Sequence, residues 1–264
     1  MTNRSKTSAG NFFEDFRVGQ EIRHATPRTL TEADAALNVG LYGSRFAINS
    51  SDAFARSLGL PRAPLDDLMV FHVVIGKTVP DISLNAVANL GYAEFIWGVP
   101  VYPGDTLSAH STVLGLRENS NRTSGVVWVR STGLNQRGEV VLDYVRWVMV
   151  HKRDPEAAVA PSSVPKTAAA VAPSSLVVPA GLSLAAYDDV AAGSPHRWED
   201  YEAGERIDHV SGMTLEDSDH MFSTRLYQNT ARVHFDAFAG KDTRFGRRLA
   251  YGGHVISLAR ALSF

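Results

Sequence analysis

Residues 13–42 read FEDFRVGQEIRHATPRTLTEADAALNVGLY, and residues 198–227 read WEDYEAGERIDHVSGMTLEDSDHMFSTRLY. Laid on each other at a constant offset of 185, the two stretches agree at ten of thirty positions without a gap. Glu14-Asp15 meets Glu199-Asp200, Gly19 meets Gly204, Ile22 meets Ile207 and His24 meets His209. Thr29-Leu30 meets Thr214-Leu215, Asp34 meets Asp219, and Leu41-Tyr42 meets Leu226-Tyr227. Ordinary composition would give about two matches. Two copies are too few for a solenoid. They indicate a duplicated domain in which one copy keeps the chemistry and the other decays into support.

Between the copies, Asp154–Gly181 is mostly Ala, Pro, Ser and Val, and six of the twelve prolines lie between Pro155 and Pro195. That composition suits a surface-hugging linker. The expected organisation is therefore a first domain over 11–153, a linker over 154–195 and a second domain over 196–264.

The first copy reads as α+β. Thr29-x-x-Glu32 is a capping-box pattern that opens a helix to about Tyr42. Leu65–Val79 is strongly apolar, lacks Pro and begins with Asp66-Asp67, which favours a buried helix. Strand signals follow at Tyr92–Trp97, Asp105–Arg117, Val126–Asn135 and Glu139–His151. Asn135-Gln136-Arg137-Gly138 is the hairpin turn between the last two. One buried helix followed by a run of antiparallel strands implies a sheet wrapped around that helix. The second copy repeats the opening, with Thr214-x-x-Asp217 starting a helix and Tyr251–Leu262 taking the place of the buried one. The sequence then stops, and the 74 positions from Pro80 to Arg153 have no counterpart.

Composition narrows the function. Hydrophobic content of 44%, charged content of 20% and a net charge of −2 describe a soluble globular protein without a basic field, so nucleic acid is not an expected partner. With no cysteine there is no disulfide, thiolate metal site or cysteine nucleophile, which fits a reducing, cytoplasmic setting. Neither a signal peptide nor a membrane span is expected. His209, Asp219-His220 and His234-x-Asp236 lack an established ligand spacing, so no metal is expected.

The chemistry concentrates in copy two. Asn229 and His234, five apart just after a helix, can converge on one water molecule. The aligned residues of copy one are Ser44 and Asn49, so copy one has no titratable member. Tyr251-Gly252-Gly253-His254 opens the second buried helix. Its glycines permit close approach, and its free N–H groups suit a developing anion. Copy one has Asp67-Leu68-Met69 there. Arg225, Arg232, Arg244, Arg247 and Arg248 surround these motifs and could clamp phosphates or a carboxylate.

Asn229-x4-His234 followed by Tyr251-Gly252-Gly253 resembles the MaoC-type, (R)-specific enoyl-CoA hydratase family of hot-dog folds. That family's motif is Gly-Asp-x-Asn-Pro-Ile-His with a downstream His-Gly at the central helix. Pro100–Leu107 also resembles the family's strand entry. Asn229 stands where the family has Asp, Arg232 stands near the motif's proline, and Tyr251 replaces the His before glycine. The resemblance implies a tandem (double) hot-dog fold, the first hot dog complete and the second truncated after its central helix. It further implies reversible addition of water to a branched, carboxylated enoyl-CoA, without metal or redox cofactor. His234 would be the base, Asn229 would hold the water, and the Gly252 and Gly253 N–H groups would stabilise the enolate. Arg225, Arg232 and Tyr251 would bind substrate, with Arg232 meeting its free carboxylate. A homo-oligomer is expected. A hot-dog thioesterase using Asp236 or Asp219, and a silent acyl-CoA-binding or assembly subunit, remain as alternatives. With its second hot dog unfinished, the chain reads as a shortened product or a fragment of a longer hydratase, and should self-associate and show little activity alone.

Overall fold

The computed structural model describes residues 6–241, 243 and 245–263. Five strands form one antiparallel sheet in the order β1-β3-β4-β5-β2: β1 Glu21–Thr29, β2 Ala86–Trp97, β3 Thr106–Glu118, β4 Ser124–Leu134 and β5 Val140–His151. Four helices of three turns or so accompany it: α1 Glu32–Tyr42, α2 Asp67–Thr78, α3 Asp217–Leu226 and α4 Gly252–Leu262. The β4–β5 hairpin turns at Gly138, whose φ of 78° only glycine adopts freely, with Asn135 N–H donating to the Glu139 carbonyl.

The apolar run at 65–79 folds as α2, the helix held by the sheet. Asp66 caps it, accepting from the Leu68 and Met69 N–H groups. Met69, Val70, Phe71, Val73, Val74 and Ile75 are all buried. Phe71 meets Tyr92, Phe95 and Tyr144 edge-on at 5.5, 5.1 and 5.8 Å between centroids. Truncating such an aromatic costs about 3–5 kcal/mol.

Three local expectations need correction. No apolar alternation marks strand β1: the exposed Arg23 and Thr26 and the half-buried Arg28 interrupt it, and pairing with β3 creates the strand. The cap of α1 is Thr31 with Asp34, not Thr29 with Glu32, because Asp34 Oδ2 reaches back to the Thr31 N–H at 2.8 Å. Thr214 caps nothing: α3 starts after Glu216 without a side-chain cap.

The linker lies along the first copy. Ser163 exchanges backbone hydrogen bonds with Leu116 at 2.8 Å, and Ser183 N–H donates to the Leu58 carbonyl at 2.8 Å. In the second copy, residues 206–214 correspond to β1 by the repeat offset yet form no strand, and Val210 is 99% exposed. Among the described residues no strand pairs with them. Val255 and Ile256 on α4 are each 41% exposed. Their counterparts Val70 and Phe71 are packed under the sheet. The described residues form a complete first hot dog and the second as far as its central helix. Among the described residues no helix is long and apolar enough to cross a membrane.

Candidate active site

The two copies meet through equivalent residues. His72 and Ser257, 185 apart, bond through Nε2 and Oγ at 2.7 Å. Tyr227 is buried, takes a hydrogen bond from Asn38 Nδ2 at 2.8 Å, and shares one core with Tyr42, Met69 and Leu258. Gly76 on α2 is required here, since a Cβ would lie 2.1 Å from the Tyr227 carbonyl oxygen.

That anchoring sets the reactive loop. After α3 the chain reverses at Gln228, which adopts a left-handed φ of 56°. Its counterpart Gly43 makes the same turn at 64°. Asn229 follows, buried, with Oδ1 accepting from the Ala231 N–H at 2.9 Å. Its side chain also offsets a little of the upward pull that burial exerts on the Tyr251 hydroxyl.

His234 sits in the short helical turn Arg232–His234. Its Nδ1 lies 3.0 Å from the Leu249 carbonyl oxygen. A carbonyl can only accept, so Nδ1 carries the proton and Nε2 presents a bare lone pair. Burial, and to a lesser degree the nearby His220, pull the imidazole below its ordinary pKa, while the Leu249 bond opposes them. His234 is therefore neutral and basic at pH 7. The Tyr251 ring lies 5.5 Å from it.

Tyr251 is buried, and its hydroxyl lies 3.2 Å from His72 Nδ1. Burial takes His72 down to about 3, so it stays neutral, with one ring nitrogen donating and the other accepting. The Tyr251 ring folds back over Gly253, where a Cβ would come within 2.5 Å of it. Gly253 is thus demanded by packing, and Gly252 is the exposed first residue of α4. No side chain caps α4, so its first N–H groups and the positive end of its dipole stay open. In copy one the Asp66 carboxylate occupies the equivalent place, which would repel an anion.

The arginines are arranged otherwise than expected. Arg232 is 64% exposed in its side chain and paired with Asp236 at 2.9 Å, turned away from the buried cluster. Arg248 bonds Asp217 at 2.9 Å and approaches the Met221 sulfur. Arg225 and Arg247 are exposed. Arg244 lies outside the described residues. Asp236 is also engaged, accepting from the Phe238 and Ala239 N–H groups, which with Arg232 hold it below the ordinary carboxylate range. Among the described residues no three His, Asp or Glu side chains are placed to hold a metal.

Two buried histidines escaped the reading of candidate bases. His220 on α3 and His254 on α4 are 3% and 1% exposed. The repeat offset could have found them, because copy one has Ala35 and Met69 at these positions.

The mesaconyl-CoA hydratase family model matches residues 1–263. The chain is 64% identical over 259 residues to a mesaconyl-CoA hydratase of Cereibacter sphaeroides, covering 98% of this chain and 75% of that protein. It is 61% identical over 260 residues to a β-methylmalyl-CoA dehydratase of Chloroflexus aurantiacus, covering 98% and 74%. A crystal structure of a MaoC domain protein dehydratase from Chloroflexus aurantiacus superposes with a TM-score of 0.96 at 61% identity, covering 98% of this chain and 74% of that one. A Mycobacterium tuberculosis protein described as a double hot dog follows at 0.68 and 27% identity, covering 96% and 76%. The chain spans about three quarters of the length of these relatives. With one hot dog whole, a second begun, and a paired amide and imidazole on the loop before the second helix, it belongs to the mesaconyl-CoA hydratase family of MaoC-type hydratases.

Proposed function

We propose that this protein reversibly adds water to mesaconyl-CoA, giving β-methylmalyl-CoA, at a site carried by the second copy. His234 Nε2 takes a proton from a water held beside Asn229 as the oxygen bonds to the β-carbon. The π electrons move onto the thioester oxygen, facing the open N–H groups at the start of α4. His234 then returns the proton to the α-carbon. Asn229 cannot titrate, so one imidazole serves both proton steps.

The observation that carries this reading is the Nδ1 bond from His234 to Leu249, which fixes the tautomer that a base needs. A thioesterase that uses Asp236 is disfavoured because Asp236 is committed to capping and to Arg232. We further propose that CoA thioesters are held without metal or redox cofactor and that the chain works as a homo-oligomer in the cytoplasm. Incubation with mesaconyl-CoA tests the reaction: hydration lowers the enoyl absorbance, thiolysis releases free CoA, and simple binding does neither.

A further inference from the structure

Replacing the family motif's carboxylate by Asn229 leaves a chemical gap. The attacking water has two O–H groups. One meets the bare Nε2 of His234. The other needs an acceptor. The Asn229 Oδ1 already accepts one bond from Ala231, and an amide, unlike a carboxylate, has no second oxygen to offer.

His220 has the missing lone pair. Its Nε2 lies 3.4 Å from Asp217 Oδ1, and a carboxylate only accepts, so Nε2 carries the proton. Its Nδ1 is buried and without a hydrogen-bond partner. A buried polar atom left bare in this way costs stability unless something else meets it. Helix α3 packs against both α4 and the turn bearing His234. The positive charge of His220, when present, is felt by both His234 and His254.

Copy one says which way these groups face. Ala35, Asn49 and Met69 are the counterparts of His220, His234 and His254, and all three line one pocket of about 360 Å³. The repeat offset assigns His220, His234 and His254 to the corresponding positions of copy two. Only copy two places imidazoles there.

We propose that His220 is a further catalytic residue, the second hydrogen-bond acceptor on the attacking water. It rests on the hydration reading above. In the step, one O–H bond of water breaks toward His234 Nε2 and the C–O bond forms at the β-carbon. The other O–H stays intact, donating to His220 Nδ1, and becomes the hydroxyl of the product. Asp217, itself held by Arg248, fixes the His220 tautomer from behind. The charged and titratable neighbours are Asp217, Asp219, Arg248, His234 and His254.

Long-range ¹H–¹⁵N spectra of the imidazoles, combined with His220→Ala and His220→Gln variants, test this. Alanine is tolerated at the equivalent place in copy one, so His220→Ala should fold. The proposal expects His220 protonated on Nε2, and an upward shift of the His234 titration in both variants as a like charge is removed. It expects kcat to fall about 10–100-fold with KM within about twofold. A proton on His220 Nδ1, an unmoved His234 titration, or an unchanged kcat would overturn it. So would a His254→Gln variant that loses rate while His220→Gln does not. A protein that hydrates no mesaconyl-CoA fails the functional reading instead, and the tautomer and the His234 shift then decide the His220 arrangement by themselves.

Discussion

His234 and Asn49 stand 185 residues apart and make the same hydrogen bond. His234 Nδ1 donates to the Leu249 carbonyl at 3.0 Å, and Asn49 Nδ2 donates to the Pro64 carbonyl at 3.1 Å. Leu249 and Pro64 are themselves 185 apart. An amide can supply the donor but has no second nitrogen to act as a base. Copy one thus makes the same bond with a side chain that cannot act as a base.

The pH–rate profile should therefore show an acid limb set by His234. The base must be neutral, and burial lowers its pKa. Activity should be full at pH 7 and fall as pH drops through a value below the ordinary histidine value of about 6.5. An acid limb displaced above 6.5 would contradict the burial of that ring.

Converting Asn229→Asp should add a second ionisation to that profile, because a carboxylate beside the reacting water titrates where the amide does not. A profile of unchanged shape would place Asn229 away from the water.

His72 should make the fold acid-labile. Its pKa is lowered to about 3 in the folded state, so the unfolded chain binds the extra proton first. Stability is then complete above about 6.5 and falls by roughly 1.4 kcal/mol per pH unit between there and about 3. Urea unfolding at pH 7.5 and 5.5 checks this, and His72→Gln should remove that slope while costing stability at the higher pH.

Gln228→Gly should stabilise the chain by roughly 0.5–1 kcal/mol, because Gln228 holds the left-handed conformation that glycine adopts at Gly43. A lower denaturation midpoint would show that the Gln228 side chain contributes more than its backbone costs.

Val255→Ser with Ile256→Ser should raise solubility and reduce self-association with little loss of stability, since both side chains are partly in water. Each large aliphatic side chain left exposed forfeits roughly 1.5–3 kcal/mol. Sedimentation of the two forms at equal concentration would show the difference.

The repeat made much of this visible in the sequence. The apolar run at 65–79 and the Asn135–Gly138 turn predict α2 and the β4–β5 hairpin, because burial and turn geometry are local demands. Strand β1 was hidden because β3 alone gives it a partner. Arg232 read as a substrate clamp, yet Asp236 at one helical turn takes it up. Tyr251 read as a substrate-binding residue, and the space left by Gly253 lets its ring turn inward against His72. His220 and His254 were visible only by asking what copy one has at the same offset.

On the proposed mechanism copy two carries the reaction and copy one does not. It is tested most directly by following the enoyl absorbance of mesaconyl-CoA with the unsubstituted chain, with His234→Asn and with Asn49→Ala. His234→Asn keeps the Leu249 hydrogen bond, as Asn49 keeps the one to Pro64, and removes only the base. Hydration should fall about 10²–10⁴-fold in His234→Asn and stay unchanged in Asn49→Ala. Hydration that survives in His234→Asn, or that is lost in Asn49→Ala, would contradict it.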